Sequence, residues 1–376
     1  MNTETQQLFE PFSFKKGIKV KNRIAMAPMT TWASNDDYTV AEDEIRHYEA
    51  RSGNVGLVIT GCTRVMANGI GFTNEYAAYD DSFLPGLKKL AVAAKKGGAP
   101  AILQIYHAGN KAVLDLIPDG TSVSASTVAL APSALYAGGV ESRELTNEEV
   151  VEMIKAFGET THRAIKAGFD GIELHGAHGF LLQNFFSPYY NQRTDHWGGT
   201  PEKRMNFALE VIKEVQGVIT KYADRPFLIG FRISPEEPES YKVNDTFPLI
   251  DKLIDYGIDY LHVSLADLLH QKPVGEESGD STILSLILDH VDKRIPVISA
   301  GGIKQGDDAL KAIRMGLSLV AVGHGLIINP NWVKLVAKGD KTNEVLNLSK
   351  ADKLAVPKKL QAFIKVATGF FQVTDH

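Results

Sequence analysis

Gly171-Ile-Glu-Leu-His175-Gly-Ala-His178-Gly-Phe180-Leu-Leu-Gln-Asn-Phe-Phe-Ser-Pro-Tyr-Tyr-Asn-Gln-Arg193-Thr-Asp195-His-Trp-Gly-Gly-Thr-Pro-Glu-Lys-Arg204 is the stretch on which the reading of the chain turns. It begins with a short apolar run. Helical periodicity over Asn147 to Ala167 precedes that run, and a Gly-Phe-Asp turn separates the two. That order describes a buried parallel strand fed by a helix. Two histidines stand where the strand stops, and α/β proteins keep their chemistry at the C-terminal ends of strands. His175 and His178 are therefore the catalytic candidates. If the strand rolls into a turn there, the two imidazoles converge on one point, either to hold a metal or to donate two N–H groups to one substrate oxygen. Glu173 shares strand parity with His175 and points the way a third metal ligand would.

Outward from this strand the same unit repeats. Arg23 to Trp32 supplies a first strand closed by Pro28, Val55 to Thr60 a second ending at Gly61-Cys62-Thr63, and Ala101 to Ile105 a third ending at Gln104-Ile-Tyr-His107. Beyond the central strand come Phe227 to Ile233, Tyr260 to Val263, Val297 to Ala300 and Leu319 to Val322. Helical patterns lie between them at Ala41 to Arg51, Ser82 to Lys96, Pro201 to Lys221, Thr246 to Tyr256, Ser281 to His290 and Gly306 to Met315. Eight strand candidates alternating with helices favour an α/β chain closed as a (β/α)8 TIM barrel over an open sheet. The turn after the first strand, Ala-Pro-Met-Thr-Thr, is unlike the Gly-x-Gly-x-x-Gly of a dinucleotide fold.

Phe9 to Val20 alternates around a Lys-Lys-Gly turn, the pattern of a hairpin capping the barrel. Ala108 to Arg143, rich in Gly, Ser, Ala and Pro, interrupts the alternation as a binding loop or lid would. Thr146-Asn-Glu-Glu149 then opens the next helix as a capping box. Residues 1–340 read as one barrel domain, with 341–376 as its C-terminal helical extension. The extension carries an amphipathic helix over Lys350 to Ala367 and an apolar Gly369-Phe-Phe371, and it packs on the barrel or on a neighbouring copy in a homo-oligomer.

Composition bounds the function classes. The 376 residues carry a net charge of -5, without the basic footprint of a nucleic-acid binder. One cysteine excludes an internal disulfide and suits a reducing cytoplasm. No apolar run reaches the ~20 residues of a membrane span, and the start Met-Asn-Thr-Glu-Thr-Gln-Gln has no secretory character, so a cytoplasmic protein is expected.

Ser299-Ala300-Gly301-Gly302 and Gly323-His324-Gly325, after strands seven and eight, are glycine-rich where barrels bind phosphate. Arg232 ends strand five, and a guanidinium in a barrel mouth calls for an anion or an electron-rich ring. Gln104 can read a planar amide edge. Phosphate cradle, amide reader and cation together suit flavin mononucleotide (FMN) better than a sugar phosphate.

The chain also resembles the Old Yellow Enzyme family of FMN-dependent NAD(P)H oxidoreductases over roughly residues 7 to 340. The resemblance rests on Asn22-Arg-Ile-Ala-Met-Ala-Pro-Met29, Gln104-Ile-Tyr-His-Ala-Gly109, Ala131-Pro-Ser133, His175-x-x-His178-Gly-Phe180, Ser187-Pro188, Asn191-x-Arg193-Thr-Asp195-x-x-Gly198-Gly199-x-x-Glu202-x-Arg204 and Gly301-Gly302. It implies noncovalent FMN, with NADH or NADPH as reductant and a small electrophilic acceptor, an enone, quinone or nitro compound. By the same resemblance Ala27, Pro28, Met29 and Thr30 line the isoalloxazine, and Cys62 contributes from its backbone. Gln104 bonds the pyrimidine ring, and Arg232 faces N1 and O2. Ala300, Gly301, Gly302, Gly323 and His324 surround the phosphate, while His175 and His178 hold the substrate's carbonyl. Trp32, Tyr106 and Phe180 are expected as pocket walls. No metal is implied.

Two positions depart from the family pattern. Phe180 stands where the family commonly has the tyrosine that protonates the substrate carbon. Tyr106, Tyr38 or solvent would have to substitute, or the acceptor is a quinone or nitro compound that needs no placed proton. His324 stands where arginine is general, and a neutral imidazole offers one hydrogen bond in place of a charged fork. The competing readings are a metal-dependent barrel hydrolase built on His175, His178 and a carboxylate, and a flavin-binding protein whose reductase activity has decayed.

Overall fold

The computed structural model describes residues 3–132, 138–238, 240–275, 279–367 and 369–374. Eight parallel strands form its centre: β1 (Ile24–Met26), β2 (Leu57–Ile59), β3 (Ala101–Tyr106), β4 (Gly171–Gly176), β5 (Leu228–Ile233), β6 (Tyr260–Ser264), β7 (Val297–Ala300) and β8 (Leu319–Val322). Each pairs with the next, and β8 pairs with β1, as in Val320 beside Ile24. Val58 beside Ala101 joins β2 to β3, so the sheet has no free edge and is a closed barrel. Seven of the expected strands stand within a residue or two of their sequence bounds; the first, expected over Arg23 to Trp32, is confined to Ile24–Met26, ahead of Pro28.

Period-two alternation sorts the residues of each strand between the barrel interior and the surrounding helices. Leu57, Ile102, Leu228, Tyr260, Ile298 and Leu319 fill the lower interior, and Phe14 and Val20 of the N-terminal hairpin pack against this cluster. That hairpin, Phe12–Ser13 against Lys19–Val20, is the expected cap. The inward parity of the same strands continues upward into Gln104, Glu173, His175, Arg232, His262 and Ser264, so polar side chains collect toward the C-terminal end.

Helices α1 (Glu42–Arg51), α2 (Leu84–Ala94), α3 (Asn147–Ala167), the short α4 (Leu181–Phe186), α5 (Pro201–Tyr222), α6 (Phe247–Asp255), α7 (Ile283–Val291), α8 (Gly306–Met315), α9 (His324–Ile328) and α10 (Trp332–Lys338) follow in order. The capping box at Thr146 and Glu149 forms as its sequence requires, satisfying two otherwise orphaned donors at the start of α3. Strand β2 stops earlier than its apolar run, and pairing with β3 resumes at Thr63–Arg64. Gly61 marks the break: a Cβ there would stand 2.5 Å from the carbonyl oxygen of Met29. Only glycine lets the ends of the first two strands approach so closely.

The tail departs from its sequence pattern. Its helix, α11, spans Lys358–Val366 rather than Lys350 to Ala367. Pro357 has no N–H to donate and disfavours helical geometry at Val356, so the helix starts after it. The tail packs on the barrel: Leu346, Ala351, Val356, Leu360, Ile364 and Phe371 bury against Trp32, Ile327 and Ile328. Arg51 fixes this junction. Its buried guanidinium donates to the carbonyls of His47 (2.9 Å), Leu326 (3.1 Å), Ile327 (3.2 Å), Leu354 (2.7 Å) and Ala355 (3.2 Å). Hydrogen bonds to a charged group contribute about 1.5–3 kcal/mol each, so this one side chain ties α1, α9 and the tail into a single unit.

Candidate active site

Glu173 anchors the polar part of the barrel interior. It is fully buried, accepting from Gln104 Nε2 at 2.7 Å and facing His262 Nδ1 at 2.9 Å. Burial pushes its carboxyl up. The His262 ring, its hydrogen bond, the Arg232 charge and Gln104 outweigh that, and the group lies below the ordinary carboxylate value. Burial lowers His262 in turn, so an ionised carboxylate meets a neutral imidazole. The parity that aligns Glu173 with His175 holds, yet both Glu173 oxygens are committed to Gln104 and His262. Among the described residues no group of three or more His, Cys, Asp or Glu side chains is placed to hold a metal ion. The three-ligand hydrolase site therefore does not form.

Above Glu173 stands Arg232, 6% exposed. Its Nη2 donates to Ser264 Oγ at 3.0 Å, and its Nε has no partner. An orphaned guanidinium N–H buried beneath a barrel mouth fits an electron-rich ligand, because leaving such a donor unsatisfied costs about 1–3 kcal/mol. Ser264 Oγ also meets His178 Nε2 at 2.7 Å. Since the guanidinium can only donate to Oγ, the Ser264 hydroxyl is free to donate to His178 Nε2, which places the ring proton on Nδ1.

The strand does roll into a turn after His175. His178 and Gly179 both adopt left-handed backbone, at φ 60° and 71°. The His178 N–H donates to Ser234 Oγ (2.9 Å), the Gly179 N–H to Gln183 Oε1 (2.8 Å), and Lys111 Nζ to the His178 carbonyl (2.5 Å). These bonds hold a conformation that a non-glycine residue rarely adopts. The His175 and His178 rings end 5.0 Å apart. His175 Nδ1 accepts from the Ala177 N–H at 3.3 Å, which leaves Nε2 as its donor. Both rings are held well below the usual histidine value. For His175 burial is the main cause, with the charges of His178 and Arg232 adding to it. His178 is exposed at the mouth, and desolvation first, then the Arg232 and Lys111 charges, lower it. The mouth thus presents two neutral imidazoles above a fixed cation.

Around them lies an incompletely buried rim of Met29, Thr30, Ala300, Gly301, Gly302, Gly323 and His324. Ala27 and Pro28, just below, are buried. A Cβ on Gly323 would stand 3.0 Å from Met29 Sδ, so the ends of β1 and β8 close on each other there. Thr30 Oγ1 is 3.6 Å from Cys62 Sγ. Burial first, then the Glu75 charge, push that thiol up to about 12, so Cys62 is a neutral thiol. The His324 ring packs on Phe371 and Phe370, at 4.2 and 5.4 Å, and burial keeps it uncharged.

Two expected pocket walls are packing residues instead. Trp32 is 8% exposed and stacks on Phe363 of the tail at 3.8 Å, because the tail covers it. Tyr106 is fully buried; its hydroxyl donates to Glu75 Oε2 and accepts from the Gly71 N–H at 3.0 Å. Tyr38 is also engaged, with the Arg64 guanidinium 4.2 Å over its ring. Phe180 stands edge-on to both His175 (5.0 Å) and Tyr106 (4.9 Å), an apolar wall beside the imidazoles.

Sequence reasoning missed His262, Ser264 and Lys111. The first two were within reach of strand parity, since Tyr260, His262 and Ser264 alternate inward along β6. Lys111 carried no local signal.

The profile of the NADH:flavin oxidoreductase / NADH oxidase family matches residues 7–343. The probable NADH-dependent flavin oxidoreductase YqiG of Bacillus subtilis is 42% identical over 380 residues, which span 100% of each chain. An NADH:acrylate oxidoreductase of Vibrio harveyi is 39% identical over 94% of this chain, which spans only 35% of that protein's length. Among solved structures, the old yellow enzyme of Trypanosoma cruzi superposes with a TM-score of 0.75 at 29% identity, covering 90% of this chain and 94% of that one.

Proposed function

We propose, from the premise that this chain belongs to the NADH:flavin oxidoreductase / NADH oxidase family, the Old Yellow Enzymes, that His175 and His178 clamp the oxygen of a quinone or nitro acceptor at the barrel mouth. The chain is an NAD(P)H-dependent flavin oxidoreductase of the Old Yellow Enzyme type, with FMN as its cofactor. FMN, when bound, would supply hydride-transfer chemistry between reduced nicotinamide and a second substrate.

The observation that carries the reading is the pair of neutral imidazoles with assigned N–H donors, 5.0 Å apart over Arg232. Two N–H groups fixed in place stabilise negative charge on an acceptor oxygen without reorganising. Arg232, with a donor to spare, would face the flavin ring where charge gathers on reduction. The rim from Met29 and Thr30 round to Ala300–Gly302 and Gly323 would hold its ring and phosphate. Gln104 would act from below, although its amide nitrogen is already bonded to Glu173. The relative named for acrylate does not carry the acceptor over, because this chain spans 35% of it.

Phe180 decides among acceptors. It has no proton to give, and the Tyr106 hydroxyl beside it is turned into Glu75. A proton must then come from solvent at the open edge of His178. Quinones and nitro compounds tolerate that, because their oxygens are readily protonated from water; an enone must receive its proton at carbon. Cyclohexenone turnover is therefore expected to be slow, and Phe180→Tyr to raise it by about 10²-fold, within the range of a placed general acid. Benzoquinone turnover stays within a few-fold. Steady-state assays with both acceptors test this, and a wild type that already reduces the enone as fast as the variant would remove the role given to position 180.

A further inference from the structure

Beside His178, on the side away from the phosphate rim, the structure holds a second feature: a cavity of about 540 Å³ under the long insertion. Leu130, Ala131 and Pro132 of the insertion line it together with Tyr189, Tyr190, Glu236 and Glu237. The volume lies within the ~300–1,000 Å³ of small-ligand sites. Lys111 sets its ammonium against the His178 carbonyl. Tyr189 is 42% exposed, and its ring stands edge-on to Tyr190 at 4.8 Å. The Tyr190 hydroxyl in turn accepts from the Ala131 N–H at 3.0 Å, which holds the platform against the insertion. Glu237 is fixed by Gln183 (2.9 Å) and by the Ser187 hydroxyl. Glu236 accepts the Val274 N–H at 3.1 Å through one oxygen. Among the described lining residues Lys111 is the one cation, and its charge interacts with that of Glu237.

We infer that this cavity takes the adenosine half of the reduced dinucleotide and selects NADH against NADPH. The inference rests on the hydride-donor reading above, because it requires the nicotinamide to lie at the histidines. From there the diphosphate crosses Lys111, the adenine lies against the Tyr189 ring, and the ribose 2′-hydroxyl donates to Glu236. A flat base on an exposed aromatic face is a sequence-tolerant contact. A carboxylate is the natural acceptor for a ribose hydroxyl, as dinucleotide folds use it. A 2′-phosphate brings about -1.5 to -2 charges to the Glu236 carboxylate, so it is rejected by repulsion as well as by the lost hydrogen bond.

The test uses the FMN-loaded protein, anaerobically, with flavin bleaching followed for NADH, NADPH and reduced nicotinamide mononucleotide. NADH is expected to exceed NADPH by about 100-fold in kcat/KM. Glu236→Gln should compress that ratio about tenfold by lowering the KM for NADPH while raising that for NADH. Tyr189→Ala should raise the KM for NADH several-fold and leave the mononucleotide, which has no adenine, unaffected. Equal efficiency with NADH and NADPH, or a ratio unmoved by Glu236→Gln, would overturn this inference alone. Bleaching by none of the three donors would overturn the hydride-donor reading and the inference with it.

Discussion

His178→Ala is expected to lower kcat/KM for a quinone acceptor by 10²–10³-fold, the loss found when one preorganised donor is removed from an oxyanion site. The size follows from how firmly the ring is held. Its backbone sits at φ 60°, fastened by Ser234 and Lys111, and its Nε2 is met by Ser264. Of the described neighbours, Phe180 is apolar and the Tyr106 hydroxyl is turned away, so neither replaces it. Bleaching of the flavin by NADH should suffer less than reoxidation by the quinone, because hydride donation develops no charge on a clamped oxygen. Stopped-flow measurement of the two half-reactions separates them. The same geometry predicts the pH profile. Both histidines titrate well below the usual value, so they remain neutral donors as pH falls through 6.5, and reoxidation stays flat across neutrality. A reoxidation rate that fell through a midpoint near 6.5, or one untouched by His178→Ala, would count against the clamp.

Arg232→Met is expected to weaken FMN binding by about 10–100-fold, the equivalent of ~1.5–3 kcal/mol for the loss of a charge-assisted hydrogen bond. Three neighbours lose something at once. Glu173 loses the cation above it, Ser264 loses the Nη2 donor, and the tautomer of His178 is no longer dictated. Because Glu173 is fully buried, removing its cation also lowers thermal stability; breaking a buried charge pair typically costs 3–5 kcal/mol. Here Gln104 and His262 stay in place and keep the loss toward or below the lower end. Arg232→Lys should restore most of the stability and little of the FMN affinity, since an ammonium supplies charge without the planar fork. Flavin fluorescence on reconstitution reads the affinity, and calorimetry the stability. Tight FMN binding in Arg232→Met would show that the orphaned Nε has another purpose.

Much of this arrangement was legible because strand parity and chain order are local. The alternation of apolar strands with helices is enough to close a barrel, and a histidine pair at the end of β4 marks the working face. Parity also aligned Glu173 with His175, though it could not say which neighbours Glu173 would meet. His262 stands 89 positions away in sequence, and only barrel closure brings it to 2.9 Å. Trp32 and Tyr106 were misread for the same reason. An aromatic residue at a strand end faces either solvent or a distant segment, and here the tail and Glu75 respectively cover them. The C-terminal helix was over-extended because its apolar spacing runs through Pro357, whose ring ends what the periodicity alone would continue.

The central claim is that His175 and His178 together bind an oxygen at the mouth where FMN lies. Titration of the FMN-loaded protein with a para-substituted phenol addresses it directly, because a phenolate stacked on oxidised flavin gives a long-wavelength charge-transfer band. The account predicts saturable binding with that band in the wild type, and affinity lowered by at least about 10-fold in His175→Ala, consistent with the ~1.5–3 kcal/mol of a hydrogen bond to a charged group. Phenol affinity undiminished in His175→Ala would contradict it.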